Sequence, residues 1–133
     1  MIGRVFGAGL LALCIAGAAG AQTLTEAPGG TLRWLDKITG DAADITLSRG
    51  QSEVHGRLTV QLDSCRYPID NPASDAVAHL TILDAVMSQP LFTGWMVASS
   101  PALSAMDHAR YDVWVLRCDI PESAPATPEG EGE

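Results

Sequence analysis

Basic side chains are scarce in this chain: 8 Lys and Arg stand against 16 Asp and Glu, for a formal charge of −8. Such a surface repels phosphate backbones and anionic lipid headgroups, so nucleic acids and membrane surfaces are not expected partners. Aromatic residues make up only 5% of the chain, and Trp34, Trp95, Trp114, Tyr67, Tyr111, Phe6 and Phe92 are the full set. Histidine occurs at positions 55, 79 and 108 alone, with no pair at the close spacing of a zinc-binding helix or loop. No metal and no cofactor is therefore expected. There is no G-x-S-x-G elbow and no S-x-x-K, which removes the two commonest local signatures of a serine nucleophile. Heptads and internal repeats are missing too.

Long apolar runs are equally rare, and the one present lies at the start. Arg4 supplies a positive charge, "VFGAGLLALCIAGAAG" follows, and the small residues "AGA" stand before Gln22. This order reads as an export signal over residues 1–21, with cleavage after Ala21. Val5–Ala21 is short for a hydrocarbon layer of about 30 Å, so no stable membrane anchor is expected after cleavage. Bulky Leu13 directly before Cys14 argues against a lipoprotein, and Cys14 should leave with the signal. Of the three cysteines only Cys65 and Cys118 then remain, and in a periplasmic or secreted chain they should be bonded. Both are expected to follow the C-terminal ends of strands. A bond would then require parallel strands, facing sheets, or a turn that carries Cys65 back.

Residues 22–30 end in "APGG" and read as a linker, and residues 31–120 as the folded, disulfide-bonded domain. Within it, short alternating runs stop at turn residues: "TLRWLDKI" before "TGD", "ADITLS" before "RGQ", "RLTVQL" before "DSCRYPIDNP". Leu58, Val60 and Leu62 share one face and Arg57, Thr59 and Gln61 the other, the pattern of a half-buried strand. "AVAHLTILDA" and "LFTGWMVA" continue this, with Gly94 a candidate bulge. "YDVWVLRC" is apolar on both faces and reads as a central strand. In "SSPALSAM", Ser100 followed by proline predicts a capped helix on which Leu103 and Met106 share a face. The fold class is therefore all-β, a compact β-sandwich or small barrel with one short helix, and α+β is the alternative. Residues 121–133 close the chain as an acidic Pro/Gly-rich tail that cannot bury enough to order itself.

The segments "GGTLRWLDKITG" and "GWMVASSPALSAMDHARYDVWVLRC" resemble the hallmark motifs of a family of small exported bacterial proteins, domain of unknown function 2155. The chain departs from that pattern at Val97, in place of a more usual aromatic, and at Ala109, in place of proline. The resemblance implies an exported, disulfide-bonded domain and carries no catalytic residue with it.

Candidate chemistry rests on the residues themselves. Ser104 and His108, with Asp107 or Asp112 to orient the ring, are the best Ser/His/Asp set, because an i, i+4 pair can meet on a helix. Ser100 and His108 would lie about 12 Å apart along such a helix, too far for proton transfer. Asp112 in an apolar strand demands a partner, with Arg110, Arg117 or backbone amides the candidates. Asp36, Asp63 and Asp84 stand near strand ends, where turn-forming Asp is ordinary. Trp95, Met96, Tyr111 and Trp114 form a candidate binding face should the tryptophans prove exposed. These readings favour a non-catalytic binding or accessory module of the cell envelope with a protein or glycan partner. A small hydrolase using Ser104 or Ser100 with His108 is the alternative.

Overall fold

The structure is a computed structural model that describes Gly3 and residues 23–122. Apart from Gly3, the expected export signal with Cys14 lies outside the described residues, as do residues 123–133 of the expected tail. The chain order is β1 (Leu24–Glu26), β2 (Gly29–Asp36), β3 (Ala42–Ser48), β4 (Ser52–His55), β5 (Leu58–Pro68), β6 (Val77–Asp84), β7 (Phe92–Val97), a 3₁₀ turn (Pro101–Ser104) and β8 (Tyr111–Cys118).

These strands form two antiparallel sheets. The larger has five strands in the order β1-β5-β6-β7, with β4 sharing the β1 edge of β5; the smaller has three, β3-β2-β8. The fold is thus all-β. Leu58, Val60, Leu62, Leu80 and Ile82 of the larger sheet belong to one buried core with Leu32, Ile45, Leu47, Val113 and Val115 of the smaller. Alternation explains this directly, since every second side chain of each strand turns to the same face. No helix among the described residues is long and apolar enough to cross a membrane.

Two bulges reset that alternation. In β5 the pairing with β6 slips between Leu62 and Ser64, leaving Asp63 unmatched. The buried positions therefore pass from Leu58, Val60 and Leu62 to Cys65 and Tyr67, from even to odd. In β8 the register against β2 skips Leu116, and the buried positions pass from Tyr111, Val113 and Val115 to Cys118. Each cysteine thus lies just beyond a bulge and points inward. They meet between the sheets with a Cα–Cα separation of 5.6 Å and form the Cys65–Cys118 disulfide.

Several expectations need correction. The presumed linker contains β1, whose Glu26 pairs with Arg66, and the first residues of β2. Cys65 lies inside β5 instead of after it, because the turn-like "DS" is a bulge and the strand continues to Pro68. β8 is an edge strand of its sheet, not a central one. Its second face looks apolar because Trp114 and Leu116 are half-covered there. Gly94 pairs with Leu80 in unbroken register and makes no bulge.

The predicted helix is only the four-residue 3₁₀ turn; Ser100 makes no side-chain cap, and the chain is extended again at Ala105. So short a segment forms no stable α-helical nucleus. Extending the chain at Ala105 lets Met106 enter the core while Leu103 stays 79% exposed, so the two do not share a face.

Candidate functional site

His108 lies at the end of the sandwich where β2, β5, β6 and β8 converge. Its Nδ1 accepts backbone N–H groups from Arg110 at 2.9 Å and Tyr111 at 3.0 Å. An accepting Nδ1 carries no proton, so Nε2–H is the donor, and it meets Asp84 Oδ2 at 2.9 Å. Both ring nitrogens are therefore committed. The Ser104 hydroxyl has no hydrogen-bond partner among the described residues, and its turn ends before His108. A general base needs a free lone pair within reach of the nucleophile. The Ser104–His108 and Ser100–His108 pairs are thus not assembled as dyads.

Asp84 is 3% exposed and collects further donors: Arg57 Nε and Nη2 at 3.3 and 3.0 Å, and the Val86 amide at 3.1 Å. The Arg57 guanidinium, helped by His108 and the Val86 amide against the cost of burial, holds this carboxyl down to about 2. Asp36, at the end of β2, repeats the arrangement. Its Oδ2 receives Arg110 Nη2 at 2.9 Å and its Oδ1 the Ile38 and Thr39 amides. The Arg110 bond is the main cause that brings its carboxyl to about 2. Tyr111 lies between the two arginines, whose Cζ atoms are 5.7 Å (Arg57) and 5.2 Å (Arg110) from its ring centre. Gly56, at φ +58, fits beneath it, where a Cβ would lie 2.8 Å from the phenol oxygen. This network closes turns and ties both sheets together at one end.

Asp112 is not in it. Arg110 is bound to Asp36, Arg117 is exposed, and the one bond Asp112 accepts among the described residues is from the Val113 amide at 3.0 Å. Among the candidate residues its neighbour is Trp114, half-buried beside a cleft of about 370 Å³ between β8 and Pro101, Ala102 and Ala105.

The four residues expected to form a binding face do not lie on one surface. Met96 and Tyr111 are each 2% exposed and belong to the core. Trp114 is on the smaller sheet, and only Trp95, 40% exposed, presents its ring on the outer face of the larger one. There His79 meets the indole edge-on at 5.1 Å and the Arg66 guanidinium lies 5.0 Å from its centre. The bulged Asp63 anchors the same face. Burial raises its carboxyl pKa, but bonds from Thr81, His79 and Gln61, each at 2.7 Å, outweigh this and lower it overall. Asp63, Arg66 and His79 were not singled out beforehand as companions of Trp95. The signal was cross-strand register, which depends on a bulge that alternation alone does not locate. Among the described residues no group of three or more His, Cys, Asp or Glu is placed to hold a metal ion.

Residues 30–118 match a bacterial protein family described as "Uncharacterized protein conserved in bacteria (DUF2155)". A relative from Rickettsia prowazekii (strain Madrid E), "Uncharacterized protein RP359", is 31% identical over 87 residues, which is 63% of this chain and 56% of the relative. The chain thus matches little more than half the length of that protein. No solved structure matches.

Proposed function

The chain belongs to the DUF2155 family of bacterial proteins, and from that membership and the geometry of its side chains we propose a non-catalytic binding module, exported to the cell envelope. The observation that carries the reading is the state of His108, whose two nitrogens are both engaged in holding the fold. With no free base, a hydrolase built on Ser104 or Ser100 loses its proton acceptor. The inter-sheet disulfide and the signal-like first 21 residues support export to the periplasm or beyond.

Trp95 is the contact group this reading relies on. Sugar stacking needs a bare indole face, and Arg66 and His79 already lie against this ring. A protein partner of the envelope is therefore favoured over a glycan, since Trp and Arg together form the usual anchors of protein interfaces. The test compares Trp95→Ala, Ser104→Ala and His108→Gln in an envelope phenotype assay at matched folded abundance. The module reading expects loss of function with Trp95→Ala and near-normal function with Ser104→Ala. Loss of function in a folded Ser104→Ala protein, together with loss of labelling by a serine-directed covalent probe, would establish the hydrolase instead.

A further inference from the structure

Of the three tryptophans, Trp114 alone has neither an aromatic ring nor a cation against its indole among the described residues. Trp34 meets His55 and Tyr111, and Trp95 meets His79 and Arg66. Trp114 and Asp112 are two apart on β8, so both turn to the face of the smaller sheet away from the core, where each is half-buried. Asp112 is incomplete as well. Its Oδ1 accepts the Val113 amide at 3.0 Å, and its Oδ2 has no hydrogen bond among the described residues.

The basic side chains of the adjoining segments are engaged elsewhere. Arg33, which pairs across the ladder with Trp114, gives Nε and Nη2 to Asp44 at 2.8 and 3.2 Å. Lys37 donates to the His108 carbonyl at 2.6 Å, and Arg110 pairs with Asp36. Arg117 lies beyond the bulge at Leu116 and is exposed. A partly buried carboxylate calls for a cation, and the described residues supply none here.

Asp112 and Trp114 line one cleft of about 370 Å³, whose opposite wall is Pro101, Ala102 and Ala105. Pro101 opens the 3₁₀ turn at one end of that wall, and Met106, directly after Ala105, is anchored in the core at the other. The wall offers no polar side chain. A sugar needs several hydrogen-bonding groups around its ring, and an anion would meet Asp112, so neither suits the cleft. An ammonium group does, because aromatic faces and carboxylates both attract such a charge and apolar walls accept its carbon stem.

We infer that this cleft binds an organic cation, an ammonium group on a short aliphatic stem. The charge lies between Asp112 and the Trp114 ring, and the stem lies against Pro101, Ala102 and Ala105. The volume suits a small ligand or one side chain, and the net charge of −8 favours a cation. The site is on the smaller sheet and stands independently of the Trp95 surface on the larger one.

The test titrates the ¹⁵N-labelled full chain with n-pentylamine at about pH 7, where the amine is protonated. Saturable shifts should centre on the Trp114 indole N–H and the Val113 amide, with a Kd of about 0.1–10 mM. The indole signals of Trp34 and Trp95 should stay in place. Pentanoate, of equal length and opposite charge, and neutral pentanol should each bind at least about tenfold more weakly. Asp112→Asn should weaken pentylamine binding by roughly tenfold, and Trp114→Leu, read at the Val113 amide, by roughly fivefold. Both variants should keep the parent's amide spectrum away from the cleft. A blocked lysine, Nα-acetyl-lysine methylamide, separates the sources of the cation: tighter binding than pentylamine assigns the cleft to a Lys of a partner protein, and weaker binding to a free amine. Equal binding of pentanoate or pentanol, preference for methyl glucoside, shifts centred elsewhere, full affinity in folded Asp112→Asn, or no binding up to about 50 mM would each overturn the proposal.

Discussion

Trp34 and Trp114 sit on adjacent strands of the smaller sheet and differ in what surrounds them. Trp34 is 9% exposed, lies 5.6 Å from both His55 and Tyr111 between ring centres, and buries an indole N–H that bonds to nothing among the described residues. Trp114 is half-buried at the cleft beside the 3₁₀ turn. Trp34→Ala should accordingly cost about 3–5 kcal/mol, and Trp114→Ala clearly less, about 1–2 kcal/mol, in urea unfolding. Because the Trp34 N–H has no partner, Trp34→Phe should be far milder than Trp34→Ala. His108→Ala should cost about 2–3 kcal/mol, since it strips a bond from buried Asp84 and frees two amides. Ser100→Ala and Ser104→Ala should each stay within about 0.5 kcal/mol, as neither hydroxyl caps or bonds among the described residues. A large loss at Ser100 would show a cap that the 3₁₀ geometry does not provide.

At the scale of strands, β2 passes so close to the disulfide that it tolerates no side chain at Gly30. A Cβ there would lie 2.9 Å from Cys65 Sγ and 3.0 Å from the Arg117 carbonyl oxygen. Gly30→Ala should destabilise by about 1–3 kcal/mol, and part of the loss should return in a Cys65→Ala/Cys118→Ala background. Equal losses in both backgrounds would assign the clash to the Arg117 carbonyl. Much of this architecture was legible in the sequence. The alternation of Leu58, Val60 and Leu62 gave a strand in its correct phase, and the turn residues of "TGD" and "RGQ" marked both ends of β3: the first closes the β2–β3 hairpin, and the second carries the chain across to β4 in the other sheet. Asp36 and Asp84 do accept turn amides, as their places at strand ends suggested, but their arginine partners lie far away in sequence, just before β8 and β5, and were not readable. The "DSCRYP" stretch misled because Asp and Ser have the same composition in a bulge as in a turn. Segment 98–110 misled because cap-like residues describe a local preference, while the need to bury Met106 is a tertiary demand.

For the whole molecule, two fastenings close opposite ends of the sandwich and respond to different chemistry. Asp36 and Asp84 titrate at about 2 in the folded chain, against about 3.9 when unfolded. A depressed folded value stabilises fully above the unfolded one and loses its effect as pH falls through the folded one. Thermal midpoints should thus hold down to about pH 4.5 and drop between about pH 4 and 2. Asp84→Asn should lower the midpoint at neutral pH and flatten that drop; an unchanged acid limb would remove Asp84 as its cause. The disulfide spans a sequence separation of 53, and reducing it should cost about 4 kcal/mol. Intact mass without reductant should rise by the mass of two hydrogens on reduction. The bulges at Asp63 and Leu116 give this bond a second property. Neither sulfur faces the core unless its own strand has slipped by one residue in the native way, so the bond fits the native register of both strands. Once closed, the bond holds both strands against a slip of one residue, because either slip would turn a cysteine away from its partner.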